Sequence, residues 1–295
     1  SYHTMLAALP AVFMGIFYYG APAIAVAALS VSSAIGWELA INKVTKQTIT
    51  IGDGNAALIG LLFAMLVPAT LPWWAVLTGT FTAVVIGKHI FGGIGGNAFN
   101  PVVLAVAILA VSWKYLFDFD AALLNYDPGF MMAAPLVKLK AFGVDTIKDY
   151  SYIGLFFGRQ AGGIGSGFGL GLIAGGAYLI LRGFIRWEIS LSFLAGIFVT
   201  ASIFYMVDST RFADPIFHLL TGYTLIGAFF LAPEDSASPV NFIPMLIYGA
   251  AGGIITVLIR NVGVYADGVL YAILVINLIQ PLVDKIRPQA VGKAV

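Results

Sequence analysis

The sequence predicts an all-α integral membrane protein of about ten transmembrane helices, arranged as a five-plus-five inverted repeat with broken helices. Composition is the first ground. The 295 residues are 60% hydrophobic and only 10% charged, with a mean hydropathy of +0.96, whereas a soluble domain carries roughly 25% charged residues. The second ground is that apolar runs of about 20 residues, enough to cross a bilayer, recur from Met5 to Val283. The third is a repeated phrase. Leu58-Ile59-Gly60-Leu61-Leu62-Phe63 runs on to Pro68, and Leu225-Ile226-Gly227-Ala228-Phe229-Phe230 runs on to Pro233. Paired, proline-interrupted apolar segments at matching places are the sign of a membrane protein built from repeats, with a site between them.

The predicted spans are 5–20, 22–42, 55–68, 72–91 and 98–112, then 168–183, 187–206, 215–232, 241–260 and 266–283. Asp53 sits before the third span and Asp267 at the start of the last, both where a helix N-cap belongs. The spans near 55–68 and 215–232 are short and stop at Pro68 and just before Pro233. Half-helices of this kind are tolerated only where their freed backbone groups are buried in protein or line a cavity. Short connections carry Lys43, Lys46, Lys88, Arg182, Arg186, Lys285, Arg287 and Lys293 on one side, against Arg211 and Arg260 on the other. The positive-inside rule then puts both termini in the cytoplasm. Five spans per half is an odd number, so the second half enters from the opposite side. The domain division is 1–112 for the first repeat, 113–167 for an external loop and 168–295 for the second repeat.

Several function classes are excluded. A net charge of +1 leaves no basic patch for nucleic acid. With no cysteine, disulfides and thiolate metal or iron–sulfur sites are ruled out within the chain, and His3, His89 and His218 are too scattered to pair on a haem. Any redox centre must be organic or borrowed. Gly162-Gly163-Ile164-Gly165-Ser166-Gly167 follows no strand, so it is no dinucleotide fingerprint.

Three stretches are candidates for chemistry. In Gly92-Gly93-Ile94-Gly95-Gly96-Asn97-Ala98-Phe99-Asn100-Pro101 a packing turn explains the glycines, but Asn97 and Asn100 add two amides beside Pro101, a good first helical residue. The helix start could face an anion or a ring carbonyl. Leu231-Ala232-Pro233-Glu234-Asp235-Ser236 sets two carboxylates at the end of a broken span. Glu234, Asp235 and Asp267 are therefore ion-path candidates, against capping and solvation as the plainer explanation. The connection from Trp113 to Phe168 holds Asp118, Asp120, Asp127, Asp145 and Asp149. A loop that long is usually functional, and Tyr150, Tyr152, Phe156 and Phe157 give it surface to pack on something.

The first of these stretches, Gly227-Ala228-Phe229-Phe230 leading into the Pro233-Glu234-Asp235-Ser236-Ala237-Ser238 loop, Leu246-Ile247-Tyr248-Gly249 and Tyr265-Ala266-Asp267-Gly268-Val269 together resemble the RnfD/NqrB family, the flavin-carrying membrane subunits of ion-pumping Rnf and Na⁺-translocating NADH:quinone reductase complexes. The resemblance spans nearly the whole chain and is closer to the RnfD branch. It implies a subunit, not catalytic alone, that moves electrons across a bacterial or archaeal cytoplasmic membrane and couples this to Na⁺ or H⁺ transport. Iron–sulfur and flavin subunits would be its partners. It also implies a leader ahead of Ser1, so that the start is trimmed.

In the family, FMN is attached through its phosphate to a threonine in a Ser/Thr-Gly-Ala-Thr-Pro-Leu type motif. The matching segment is Phe130-Met131-Met132-Ala133-Ala134-Pro135-Leu136, with Ala134 in the threonine's place. Alanine has no hydroxyl to esterify, so FMN or riboflavin is expected to be non-covalent if present. Met131, Ala134 and Pro135 would line its pocket, Lys138 and Lys140 would supply charge, and Arg159 with Gly162 and Gly163 would cradle the phosphate. The alternative function is a channel or transporter for a small solute or ion, because urea channels have a similar scaffold.

Overall fold

The computed structural model describes residues 1–46, 51–119 and 134–286, which are helical with no strand among them. The first group of helices is α1 (Tyr2–Tyr19), α2 (Ala21–Val44), α3 (Asn55–Leu66), α4 (Trp73–Phe81) and α5 (Pro101–Ser112). The connection contributes two short helices, α6 (Pro135–Phe142) and α7 (Tyr152–Phe156). The last group is α8 (Gly169–Leu181), α9 (Trp187–Val207), α10 (Pro215–Leu220), α11 (Thr224–Ile226), α12 (Phe242–Asn261) and α13 (Val269–Val283). By length and composition α2, α9 and α12 can each cross a membrane, at 24, 21 and 20 residues; α3, α5, α8 and α13 are shorter apolar helices.

Local sequence explains most of the ends. Asp53 accepts a hydrogen bond from Asn55 N at 2.7 Å, satisfying one of the free donors at the start of α3. Asn100 caps α5 by accepting from Val102 N at 3.0 Å and Val103 N at 3.1 Å, with Pro101 supplying the first helical residue. Asp267 accepts from Val269 N at 3.1 Å and so caps α13 from just outside it.

Two features depart from the expected spans. Two stretches widen into π-helix, Thr82–His89 after α4 and Gly227–Leu231 after α11. The segment expected as one span over 215–232 is broken at Thr221–Tyr223, where Gly222 takes a φ of +66°, a conformation that favours glycine. Lys88, counted among the charges of the connections, is instead 3% exposed within the first π-helix.

The core forms where the broken elements meet. α3 stops at Leu66, and its last carbonyls are taken up by residues distant in sequence. Gly165 N donates to Met65 O at 3.0 Å, Ile164 N to Val67 O at 3.1 Å and the Tyr223 hydroxyl to Leu66 O at 2.7 Å. At the other break the Asn100 side-chain amide donates to Leu231 O at 3.0 Å. Each interrupted helix is thus completed by a donor from the opposite half of the chain. The approach of the glycine loop to α3 is close enough to forbid a side chain. A Cβ on Gly163 would lie 2.5 Å from Met65 O. Gly163→Ala is expected to cost about 1–3 kcal/mol and to lower the melting temperature of the detergent-solubilised protein; an unchanged melting temperature would show that the loop can retreat.

Candidate functional site

Two cavities lie at opposite ends of α5. Asn100 and Pro101, at its start, line one; Ala110, near its end, lines the other. The second broken span joins the same two places, with Gly222 and Tyr223 at one cavity and Phe229, Phe230 and Glu234 at the other.

The cavity at the loop end has a volume of about 510 Å³ and is lined by Phe119, Ala134, Gly162, Tyr223, Tyr265 and Tyr271, among others. Tyr265 and Tyr271 face each other with ring centroids 4.3 Å apart, and Phe119 meets Tyr223 edge-on at 6.4 Å. Beneath this aromatic wall is an ion pair. Arg260 Nη2 is 2.9 Å from Asp267 Oδ1, with the two side chains 1% and 17% exposed. The guanidinium also donates to His218 O at 2.8 Å, Thr221 O at 3.3 Å and the Thr224 hydroxyl at 2.9 Å. Asp267 Oδ2 accepts from Tyr223 N at 2.7 Å. A buried charge pair persists only when its remaining hydrogen-bonding groups are satisfied in this way.

The residues expected to surround a flavin separate when folded. Ala134 and Pro135 lie on the wall with Gly162 and Asp267. Gly163 turns to Met65 and Leu66 of α3. Lys138 stands over the Tyr150 ring, 5.6 Å from its centroid. Lys140 donates to Arg260 O at 2.8 Å, to Tyr265 O at 3.4 Å and to Gly263 O, so it caps the end of α12. Burial lowers the pKa of that ammonium. Arg159 is exposed and away from the lining of this cavity. Met131 lies outside the described residues, as do Phe130, Met132, Asp120, Asp127, Arg287 and Lys293.

Asn97 and Asn100 belong to the other cavity, at the end that carries the N-terminus, with a volume of about 390 Å³. Glu234, Asp235, Asp53 and Lys88 share its wall. Asn97 Nδ2 reaches Glu234 Oε2 at 3.2 Å and Oε1 at 3.3 Å, and Ala237 N donates to Glu234 Oε2 at 3.0 Å. On its turn beyond the π-helix Glu234 has its pKa raised by burial, against the opposing effect of hydrogen bonds from Asn97, Ser236 and Ala237. Asn277 ties the region together. It accepts from Asn100 N at 3.1 Å and donates to the Tyr248 hydroxyl at 2.6 Å.

Sequence reasoning missed Arg260, Tyr223, Asn277 and the Glu38–Lys88 pair, whose atoms are 2.8 Å apart. A signal for that pair existed, because an ionisable residue inside an apolar run implies a partner and marks function by default. Glu38 and Lys88 each occupy such a run.

Both cavities lie within the range of small-molecule sites, roughly 300–1,000 Å³, and both suit a planar ring with polar edges. At the loop end the ring would have aromatic faces to stack on. At the other end it would have Phe229 and Phe230 with amide and carboxylate edges. At the loop end Ala134 presents only a methyl group, with no hydroxyl to esterify.

Long apolar helices and interrupted spans with reciprocal caps define a multi-pass helical membrane protein. The model of the NQR2, RnfD, RnfE family matches residues 1–292, and the chain belongs to that family. It is 34% identical over 287 residues to the RnfD protein of the proton-translocating ferredoxin:NAD(+) oxidoreductase complex of Clostridium ljungdahlii, covering 95% of this chain and 87% of that protein. To the RnfD protein of the Na(+)-translocating ferredoxin:NAD(+) oxidoreductase complex of Acetobacterium woodii it is 34% identical over 291 residues, covering 98% and 88%. The corresponding protein of the ion-translocating oxidoreductase complex of Cronobacter sakazakii is 30% identical over 329 residues, covering 97% and 92%.

Proposed function

We propose that the chain is the membrane subunit of an Rnf-type complex that couples electron transfer between ferredoxin and NAD⁺ to Na⁺ or H⁺ translocation. The observation that carries this is the match to RnfD proteins along nearly the full length of both partners. The names of those relatives divide between proton and Na⁺, so the class of reaction is carried over and the ion is not. Iron–sulfur and flavin subunits are its partners in the cytoplasmic membrane of a bacterium or archaeon. Both termini face the cytoplasm, and α1–α5 and α8–α13, with α10 and α11 as one broken span, form a five-plus-five inverted repeat. The repeated phrase ending at Pro68 and Pro233 supports that arrangement, as do the caps exchanged between the halves.

Two non-covalent flavin sites complete the reading, one on the aromatic wall beside Ala134 and one beside Asn97. The protein supplies position and electrostatics, and a flavin when bound supplies the redox chemistry. Deleting the chain is expected to abolish ion-coupled, ferredoxin-dependent NAD⁺ reduction by membranes; retained coupling would overturn the functional reading. Acid precipitation of the purified chain is expected to release all of its flavin to the supernatant. Colour that stays with the pellet would mean a covalent flavin elsewhere on this chain.

A further inference from the structure

The Glu38–Lys88 pair is the most deeply buried charge pair among the described residues, with side chains 0% and 3% exposed. Its two members are not equivalent. Lys88 lines the cavity that holds Asn97 and Asn100, and Glu38 does not. The pair therefore presents its positive end to that space. The acidic side chains on the wall are Asp53, Glu234 and Asp235, and Lys88 is its sole lysine or arginine among the described residues. The mounting is rigid. Lys88 sits in the π-helix, where a Cβ on Gly87 would come 2.9 Å from Pro101 Cα, so its backbone packs directly on the start of α5 beside Asn100.

We infer that Lys88 is a positioning residue whose charge sets how readily a flavin in this cavity accepts an electron, with Glu38 fixing the ammonium in place. The inference rests on the proposal of a flavin beside Asn97. An added electron brings one negative charge to the ring. The ammonium is the member of the pair on the cavity side, so its attraction outweighs the opposing effect of Glu38 behind it, and the difference over a few ångströms in protein surroundings favours that state by about tenfold, whereas the three carboxylates on the wall oppose it. Charge near the ring is among the principal means by which a protein tunes a flavin.

The test uses the purified complex, reduced stepwise with dithionite through mediators. The flavin of this site is identified as the component lost from the spectrum in Asn97→Ala. Lys88→Arg keeps the charge and is expected to leave content and midpoint close to those of the parent. The double variant Glu38→Leu with Lys88→Met removes both charges without orphaning either, a replacement that buried pairs tolerate. It is expected to retain the flavin while lowering the equilibrium constant for adding one electron by about tenfold, a fall of about 59 mV. An unchanged midpoint in the double variant, with flavin retained, overturns the role of Lys88 and leaves the site reading intact. A midpoint that falls equally in Lys88→Arg overturns the charge argument, since packing alone would then explain it. Absence of any Asn97-dependent flavin in the parent complex overturns both.

Discussion

Replacing Arg260 with alanine is expected to destabilise the protein by about 3–5 kcal/mol, the usual cost of breaking a buried pair and leaving its partner charged and unpaired. The loss spreads across several elements. His218 O and Thr221 O each lose one donor and keep only the Thr224 hydroxyl, that hydroxyl loses its own donor, and Asp267 loses its counter-charge. The first two are carbonyls at the break between α10 and α11, where no helical amide replaces the guanidinium. Arg260→Lys is expected to recover only part of the loss, because a single ammonium cannot reproduce the guanidinium's fork of donors. Thermal melting of the solubilised protein measures both variants. A melting temperature unchanged in Arg260→Ala would mean that water takes over the fork.

Asn100→Leu is expected to rank next. The side chain does three things at once: its oxygen caps α5 at two amides, its nitrogen completes Leu231, and it lies on the wall of the cavity. Loss of a cap costs about 1 kcal/mol, and an orphaned buried carbonyl adds about 1–3 kcal/mol. Asn100→Asp keeps the oxygens for the cap and removes the amide donor, so it separates the two contributions. The expected order of melting temperatures is parent, Asn100→Asp, then Asn100→Leu. Equal melting for Asp and Leu would assign the whole effect to the bond with Leu231.

The helical membrane class was legible in composition and in the prolines, because neither a low charged fraction nor a missing amide depends on the rest of the fold. Pro101 with Asn100, and Asp53 ahead of α3, mark helix starts by local chemistry alone. The break at Thr221–Tyr223 was not legible. Leu219 to Leu225 lies inside the segment expected as one span, with Gly222 as the sole local hint, and the carbonyls of His218 and Thr221 are taken by Arg260, arriving from another helix, together with the Thr224 hydroxyl. The π-helical stretches carry no local signature for the same reason.

The candidate site was legible in pieces. Asn97, Asn100 and Glu234 do meet, as do Ala134 and Gly162, but sequence spacing could not show that α5 holds the two groups apart. The lysines illustrate the limit. Lys138 and Lys140 look available for a phosphate until an aromatic ring and the end of α12 are placed beside them.

The caps exchanged between the two halves also set a schedule for biosynthesis. The Leu66 carbonyl waits for a hydroxyl 157 residues further along the chain, and Leu231 is completed by a side chain made 131 residues earlier. At synthesis rates of about 5–20 residues per second, the first broken helix spends on the order of ten to thirty seconds without that partner. An uncompensated carbonyl has no water to turn to in hydrocarbon. The early half must therefore be sheltered by the insertion machinery, or held near the aqueous boundary, until Tyr223 emerges.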